Sequence, residues 1–184
     1  MNKIIAFAGS NSRQSINKQL VTYAASLVEN SKINILDLND YELPLFSVDR
    51  EKEFGHPNNA FGFLEQIKSA DGIIVSLAEH NGAYTAVFKN LLDWMSRIEG
   101  KTFFGKPMLL MGASDGKRGA KSVLDIAQDR FPRHGADIVD VFSFHLFHKN
   151  FSEDKIVNSE LDMELKLKVK KFQESFKLVS KTNY

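Results

Sequence analysis

The sequence predicts a doubly wound α/β sheet of five parallel strands in the order 2-1-3-4-5, with helices on both faces. Three observations predict it. Apolar runs alternate with helix-period segments along most of the 184 residues, joined by connections short enough for right-handed crossovers. The run Ile73-Ile74-Val75-Ser76-Leu77 is continuous enough to be buried on both faces, as a parallel strand is. A polar, glycine-led loop follows the first apolar run, at the switch point where that strand order places a ligand.

In chain order, Ile4 to Ala8 reads as the first strand and Ile16 to Glu29 as the first helix, with Leu20, Val21, Ala24, Leu27 and Val28 as its apolar pattern. Ile33 to Leu38 is a second strand with a weaker period of two. Asn39 to Asn59 contains Pro44, Gly55 and Pro57 among mixed charges and reads as an irregular stretch, long enough to have a job or to move. After the third strand, Ile73 to Leu77, the stretch Thr85 to Ile98 is a helix with Val87, Leu91, Trp94, Met95 and Ile98 on one side. Pro107 to Met111 is the fourth strand, Val123 to Phe131 a helix and Ile138 to Phe144 the fifth strand. The helix from Asn158 to Lys181 has the clearest stripe: Leu161, Leu165, Val169, Phe172, Phe176 and Val179. Acids lead it and lysines close it, as the helix dipole favours. With no internal repeat, low-complexity tract or linker, residues 1–184 read as one domain, and 43% apolar residues are enough for its core.

Composition excludes several functions. Lys and Arg total 24 against 23 Asp and Glu, so no global field points to nucleic acid or an anionic membrane. The apolar runs are too short to cross a bilayer, and Lys3 with Ile4 to Ala8 is too short for a signal peptide. Without cysteine there is no disulfide, thiol nucleophile, cysteine-bound metal or iron–sulfur cluster. A cytoplasmic location fits this composition.

Three polar loops fall at the carboxyl end of the expected sheet. The first, Gly9-Ser10-Asn11-Ser12-Arg13-Gln14-Ser15-Ile16-Asn17, enters a helix and suits a phosphate. Free amide N–H groups and the helix dipole favour an anion, serine and asparagine add hydrogen bonds, and Arg13 adds charge. The second is Ala78-Glu79-His80-Asn81-Gly82-Ala83-Tyr84, and the third runs from Gly112 through Ser114, Asp115, Gly116, Lys117 and Arg118 to Gly119. Together they would enclose a ligand with a phosphate and a flat polar ring.

These motifs resemble the NAD(P)H-dependent FMN reductases of flavodoxin-like fold, a family that includes quinone and azo-dye reductases. The family's phosphate loop, Gly-Ser-x-Arg-x-x-Ser-x-Asn, is matched by Gly9, Ser10, Ser15 and Asn17, with Ser12 in the arginine's place and Arg13 next to it. Its second loop, Pro-Glu-Tyr-Asn-Gly followed by Lys-Asn-x-x-Asp-Trp, is matched by Glu79, Asn81, Gly82, Lys89, Asn90, Asp93 and Trp94, with Ala78 for the proline and His80 for the tyrosine. Leu43-Pro44-Leu45-Phe46 looks like the family's segment that reaches toward a partner subunit. The resemblance runs from about residue 3 to residue 145.

The resemblance implies noncovalent FMN, with NADPH or NADH as reductant. Ser10, Ser12 or Arg13, Ser15 and Asn17 would take the phosphate, with Gly9 and Ile16 framing the loop. Ala78, Glu79, His80, Asn81 and Gly82 would line the isoalloxazine ring, with Ser114, Asp115 and Gly116 at its other edge. Hydride would pass from the nicotinamide to flavin N5 and then to a small-molecule acceptor (flavin, quinone or azo compound) by ping-pong turnover, with no side chain needed as a catalytic residue. A homodimer or a dimer of dimers is implied, and no metal.

Plainer readings stand beside these. The first loop is also an ordinary strand–helix turn with serine caps, and Glu79 and Asn81 also suit a turn. Asp93 and Trp94 suit helix packing, and His145 and His148, spaced i,i+3, would suggest a metal only with carboxylates nearby. Lys117 and Arg118 read first as solvated, and only second as contacts for a nicotinamide-cofactor phosphate. A flavodoxin-type electron carrier and a non-catalytic flavin-binding module are the competing functions. The near-neutral charge speaks against the carrier.

Overall fold

The computed structural model describes residues 1–179. In chain order its elements are β1 (Asn2–Gly9), α1 (Ile16–Ser26), β2 (Ser31–Leu36), α2 (Val48–Phe54), α3 (Asn58–Lys68), β3 (Gly72–Leu77), β4 (Glu79–His80), β5 (Ala83–Tyr84), α4 (Ala86–Ile98), β6 (Pro107–Ala113), α5 (Lys121–Arg130), β7 (Asp137–Phe144), α6 (Phe147–Asn150), β8 (Phe151–Ser152), β9 (Lys155–Ile156) and α7 (Ser159–Val179). The main sheet is parallel throughout, in the order β2-β1-β3-β6-β7. That is the predicted 2-1-3-4-5 arrangement.

The continuous apolar strands follow from a sheet covered on both sides. On one face Ile5, Phe7, Ile73, Val75 and Leu110 pack against Phe63, Ile67, Phe88, Leu91, Met95 and Val123 of α3, α4 and α5. On the other, Ile4, Ala6, Ile74, Leu109 and Met111 meet Leu20, Val21 and Ala24 of α1 and Leu165, Val169 and Phe172 of α7. The register brings Gly9 beside Leu77 and Leu77 beside Gly112, so β1, β3 and β6 end side by side. Both glycines answer to crowding. A Cβ on Gly9 would lie 2.9 Å from Leu77 Cδ2, and one on Gly112 3.1 Å from the Ala120 Cβ.

Several element boundaries differ from the expectation. α1 stops at Ser26, and β2 stops at Leu36 because the Asp37 carboxylate accepts from the Asn39 N–H and starts a 3-10 turn over Leu38–Tyr41. The stretch from Asn39 to Asn59 is not irregular. It holds most of that turn, all of α2 and the start of α3. α2 left little trace in the sequence because none of its residues is buried. Its start is set by Ser47, whose hydroxyl accepts from the Arg50 N–H. α3 carries Ala60, Phe63, Leu64 and Ile67 inward, a pattern that Gly62 and the preceding Pro57 obscure. Asn158 caps α7 from outside, its Oδ1 accepting from the N–H groups of Glu160 and Leu161. The expected extension to Lys181, and the place of Val179 in the stripe, lie outside the described residues and side chains.

α4 fastens the chain after β2. Asn90 Oδ1 accepts from the Phe46 N–H at 2.8 Å, and the Pro44 carbonyl accepts from Asn90 Nδ2 at 3.1 Å and Trp94 Nε1 at 2.7 Å. The rings of Phe46 and Trp94 meet edge to face, 5.0 Å apart. Lys89 and Asp93 form an i,i+4 ion pair on the outer side of the same helix. The Lys-Asn-x-x-Asp-Trp motif is therefore built as a clamp on residues 43–46. Among the described residues no helix is long and apolar enough to cross a membrane.

Candidate functional site

The first loop combines internal order with unused donors. Ser10 Oγ accepts from the Ser12 N–H at 3.2 Å and Ser12 Oγ from the Gln14 N–H at 3.3 Å. Ser15 has the extended conformation of an N-cap, and its Oγ accepts from the Lys18 N–H at 3.2 Å. Each hydroxyl thus acts as an acceptor, and among the described residues its own O–H has nothing to donate to. The backbone N–H groups of Ile16 and Asn17 likewise have no acceptor there. Arg13 is exposed and, among the described residues, in no ion pair or side-chain hydrogen bond, and the first turn of α1 carries no acid. Three hydroxyls, two amides and one free guanidinium at the positive end of a helix suit a phosphate dianion.

Asn17 departs from the expectation that its side chain binds phosphate. It is 2% exposed, its amide donates to the Ala113 carbonyl at 3.1 Å, and its Oδ1 accepts from Ser76 Oγ at 2.7 Å and the Ala113 N–H at 2.8 Å. The side chain ties α1 to β3 and β6, which leaves only its N–H for the loop. Two residues of this framework were not anticipated as such. Ser76 is a buried hydroxyl in an apolar strand, and a buried polar group needs a partner. Thr85 caps α4 by accepting from the Phe88 N–H, and its hydroxyl donates to the Gly9 carbonyl at 2.8 Å.

The second loop is a hairpin, β4 pairing antiparallel with β5. Asn81 and Gly82 have φ of 51° and 74°, the left-handed pair that a type I′ turn requires. Asparagine tolerates that region and glycine enters it freely, so the dipeptide is explained by the turn. Glu79 Oε2 accepts from the Val123 N–H at 3.0 Å. It thereby caps α5, whose own N-cap, Ala120, has no side-chain acceptor. Ala78 is half-buried, and His80 is exposed at the hairpin.

The third loop is tied to the segment after β7. Ser114 Oγ accepts from the Ala120 N–H at 3.1 Å, Asp115 Oδ1 from the His148 N–H at 3.1 Å, and the Gly116 carbonyl from the Leu146 N–H at 3.3 Å. All three predicted loops therefore meet at the carboxyl ends of β1, β3 and β6. The carboxylates of Glu79 and Asp115 are engaged within the protein, whereas Arg13 and His80 are open. Beside the first loop a cleft of ≈ 400 Å³ is lined by Asn11, Tyr41, Leu43, Leu45, Val87 and Asn90. The described residues contain no group of three or more His, Cys, Asp and Glu side chains that could hold a metal ion.

A doubly wound sheet with a phosphate-type loop at its switch point defines a protein of the flavodoxin-like, mononucleotide-binding class. Within that class, residues 2–153 match the family model of NADPH-dependent FMN reductases, and the chain belongs to that family. A 2-hydroxy-1,4-benzoquinone reductase from a Burkholderia species is 39% identical over 119 residues, covering 64% of this chain and 63% of the relative. An NAD(P)H-dependent FMN reductase of Pseudomonas aeruginosa is 33% identical over 118 residues, covering 64% of this chain and 62% of the relative. The matches thus span less than two thirds of either relative. The fold is that of FerB, a flavoenzyme NAD(P)H:(acceptor) oxidoreductase from Paracoccus denitrificans, with a TM-score of 0.78 at 21% identity over 96% of this chain and 98% of that one.

Proposed function

We propose that this protein is an NAD(P)H-dependent reductase that holds FMN noncovalently and reduces a small acceptor, with quinones the first to try. The observation that carries this reading is the first loop: donors without acceptors at a helix start, at the switch point of the sheet. Ser10, Ser12 and Ser15 hold the phosphate through their free O–H groups, Ile16 and Asn17 through their N–H groups, and Arg13 through its charge. Arg13 carries the charge that Ser12 lacks and is in no ion pair among the described residues, which favours Arg13 as the replacement for the family's arginine. Ala78 to Gly82 line the ring, and Ser114, Asp115 and Gly116 border its other edge. Bound FMN supplies the hydride chemistry between nicotinamide and acceptor. The chain orients the two reactants, and no side chain is assigned as acid, base or nucleophile.

A homodimer completes the proposal. Leu45 and Phe54, 77% and 70% exposed, and Val48, also exposed, lie in or beyond the segment that α4 clamps. Exposed apolar side chains gathered within residues 45–54 suit a second subunit. The single domain would work in the cytoplasm, where the nicotinamide cofactors are dissolved.

Purified protein is expected to be yellow, to release FMN on denaturation, and to consume NADPH or NADH steadily with menadione or free FMN. A colourless protein that cannot be reconstituted with FMN would refute the proposal. A yellow protein that oxidises neither nicotinamide would instead be an electron carrier.

A further inference from the structure

α5 carries the wrong charges for its position. Helix starts favour acids, and α2 and α7 obey, with Asp49 and Glu51 in one first turn and Glu160 and Asp162 in the other. The first turn of α5, like those of α1, α3 and α4, has no acid, but here Lys117, Arg118 and Lys121 gather at the start. Lys121 is neutralised by Asp125 at 3.0 Å. Among the described residues, Lys117 and Arg118 have no carboxylate within ion-pair distance. The two acids that approach, Glu79 and Asp115, each accept from a backbone N–H instead. What sets this helix start apart is the gathering of three cations where the helix dipole disfavours them, at the same end of the sheet as the polar loops.

The guanidinium of Arg118 makes one hydrogen bond within the protein. One nitrogen donates to Ser122 Oγ at 3.0 Å, and the Gly119 carbonyl beside it accepts from Ser143 Oγ at 2.8 Å. Gly119 and Ala120 follow with φ of 58° and 59°, turning the chain into α5. A Cβ on Gly119 would lie 2.4 Å from Ser143 Oγ, so this turn admits no larger residue without displacement. Ser122 in turn lies against the hairpin, its Cβ 3.8 Å from where a Cβ on Gly82 would stand. Arg118 is thus an exposed cation, hydrogen-bonded to Ser122 beside the tip of the hairpin, with Lys117 next to it in the chain.

We infer that Arg118, assisted by Lys117, binds the 2′-phosphate of NADPH and sets a preference for NADPH over NADH. The inference rests on the reductase reading above. The two cofactors differ in one phosphate monoester, and a planar guanidinium pairs with phosphate oxygens in a fork that a hydroxyl cannot match. The first loop has its own free cation in Arg13, so Arg118 and Lys117 are not needed for the FMN phosphate.

The test uses FMN-loaded wild type, Arg118→Ala, Arg118→Lys, Lys117→Ala and, as a charge control remote from the loops, Lys32→Ala. Steady-state constants are measured with NADPH and NADH, and binding of 2′,5′-ADP and 5′-AMP is followed by calorimetry. The wild type is expected to favour NADPH. Arg118→Ala should raise the ratio of KM for NADPH to KM for NADH by about 10- to 100-fold, the value of a charged hydrogen bond. Arg118→Lys and Lys117→Ala should fall between, and Lys32→Ala should leave the ratio alone. Tighter binding of 2′,5′-ADP than 5′-AMP should be lost in Arg118→Ala. An equal rise in both KM values would assign Arg118 to the shared pyrophosphate and overturn the inference. Loss of FMN from Arg118→Ala, or a wild type indifferent to the two cofactors, would also overturn it, with the reductase reading intact. If neither nicotinamide is oxidised the reductase reading fails, and this inference falls too unless 2′,5′-ADP still binds in an Arg118-dependent way.

Discussion

The loop after β1 and the two loops after β3 and β6 have similar compositions and opposite habits. In the first, Ser10, Ser12 and Ser15 accept backbone N–H groups but keep their own hydrogens, and Arg13 has no partner among the described residues. In the other two, Glu79, Ser114 and Asp115 accept from the N–H groups of Val123, Ala120 and His148, which fixes the loops to α5 and to the segment after β7. The first loop keeps donors free among the described residues, whereas Glu79, Ser114 and Asp115 of the other two spend acceptors on holding shape. Polarity at the end of a sheet therefore does not by itself mark a ligand contact. What distinguishes the two is whether hydrogen-bonding capacity remains after the backbone has been satisfied.

The sharpest challenge to that contrast is Asn17, which sits in the first loop by sequence but behaves as framework. Asn17→Ala should cost about 3–5 kcal/mol of stability in urea unfolding of the apoprotein, because Ser76 Oγ and both polar groups of Ala113 lose their partner in the core. An effect on FMN affinity with unchanged stability would return Asn17 to the ligand shell.

The next effect is on binding rather than folding. Arg13→Ala should weaken FMN by about 1.5–3 kcal/mol, with stability unchanged within about 0.5 kcal/mol. Ser12→Ala should weaken it less, by about 1 kcal/mol. Titration of apoprotein with FMN, followed by flavin fluorescence, reads both. Equal affinities for both variants and wild type would leave the phosphate to the backbone.

The smallest effect falls on the hairpin. Among the described residues Tyr84 Oη is buried without a partner, and burial pushes its phenol up to about 12 from an ordinary 10.0. The fold favours the neutral phenol, so this contribution to stability is complete below pH 10 and is lost as pH rises toward 12. Tyr84→Phe should be neutral or stabilising by up to about 1 kcal/mol at pH 7. It should also soften the loss of stability above pH 10, although Tyr23, pushed up to about 12 as well, keeps part of it. A clear destabilisation at pH 7 would mean that the hydroxyl has a partner after all.

Much of the fold was legible because it rests on local periodicity. The uninterrupted Ile73–Leu77 run implied burial on both faces, and Leu161 to Phe176 implied a helix on the sheet. α2 was not legible because none of its residues is buried, so it left no apolar period. α3 was hidden because Gly62 and Pro57 interrupt the pattern that Phe63, Leu64 and Ile67 would otherwise make plain. The hairpin was present in His80-Asn81-Gly82-Ala83, since an Asn-Gly pair is the usual type I′ turn, but the short flanking runs disguised it as loop.

By itself the sequence determined the strand order, the placing of the three loops at one end of the sheet, and the phosphate-type motif at the switch point. These follow from the order of apolar runs and from residue types that act within a few positions of one another. Only the tertiary structure decided which polar groups are already occupied. Asn17 meets partners 59 and 96 positions away, Glu79 one 44 away and Asp115 one 33 away. A hydrogen bond depends on distance and direction in space, so no local pattern can reveal that the Asn17 side chain is occupied within the fold while Arg13 and the serine hydroxyls keep free donors among the described residues.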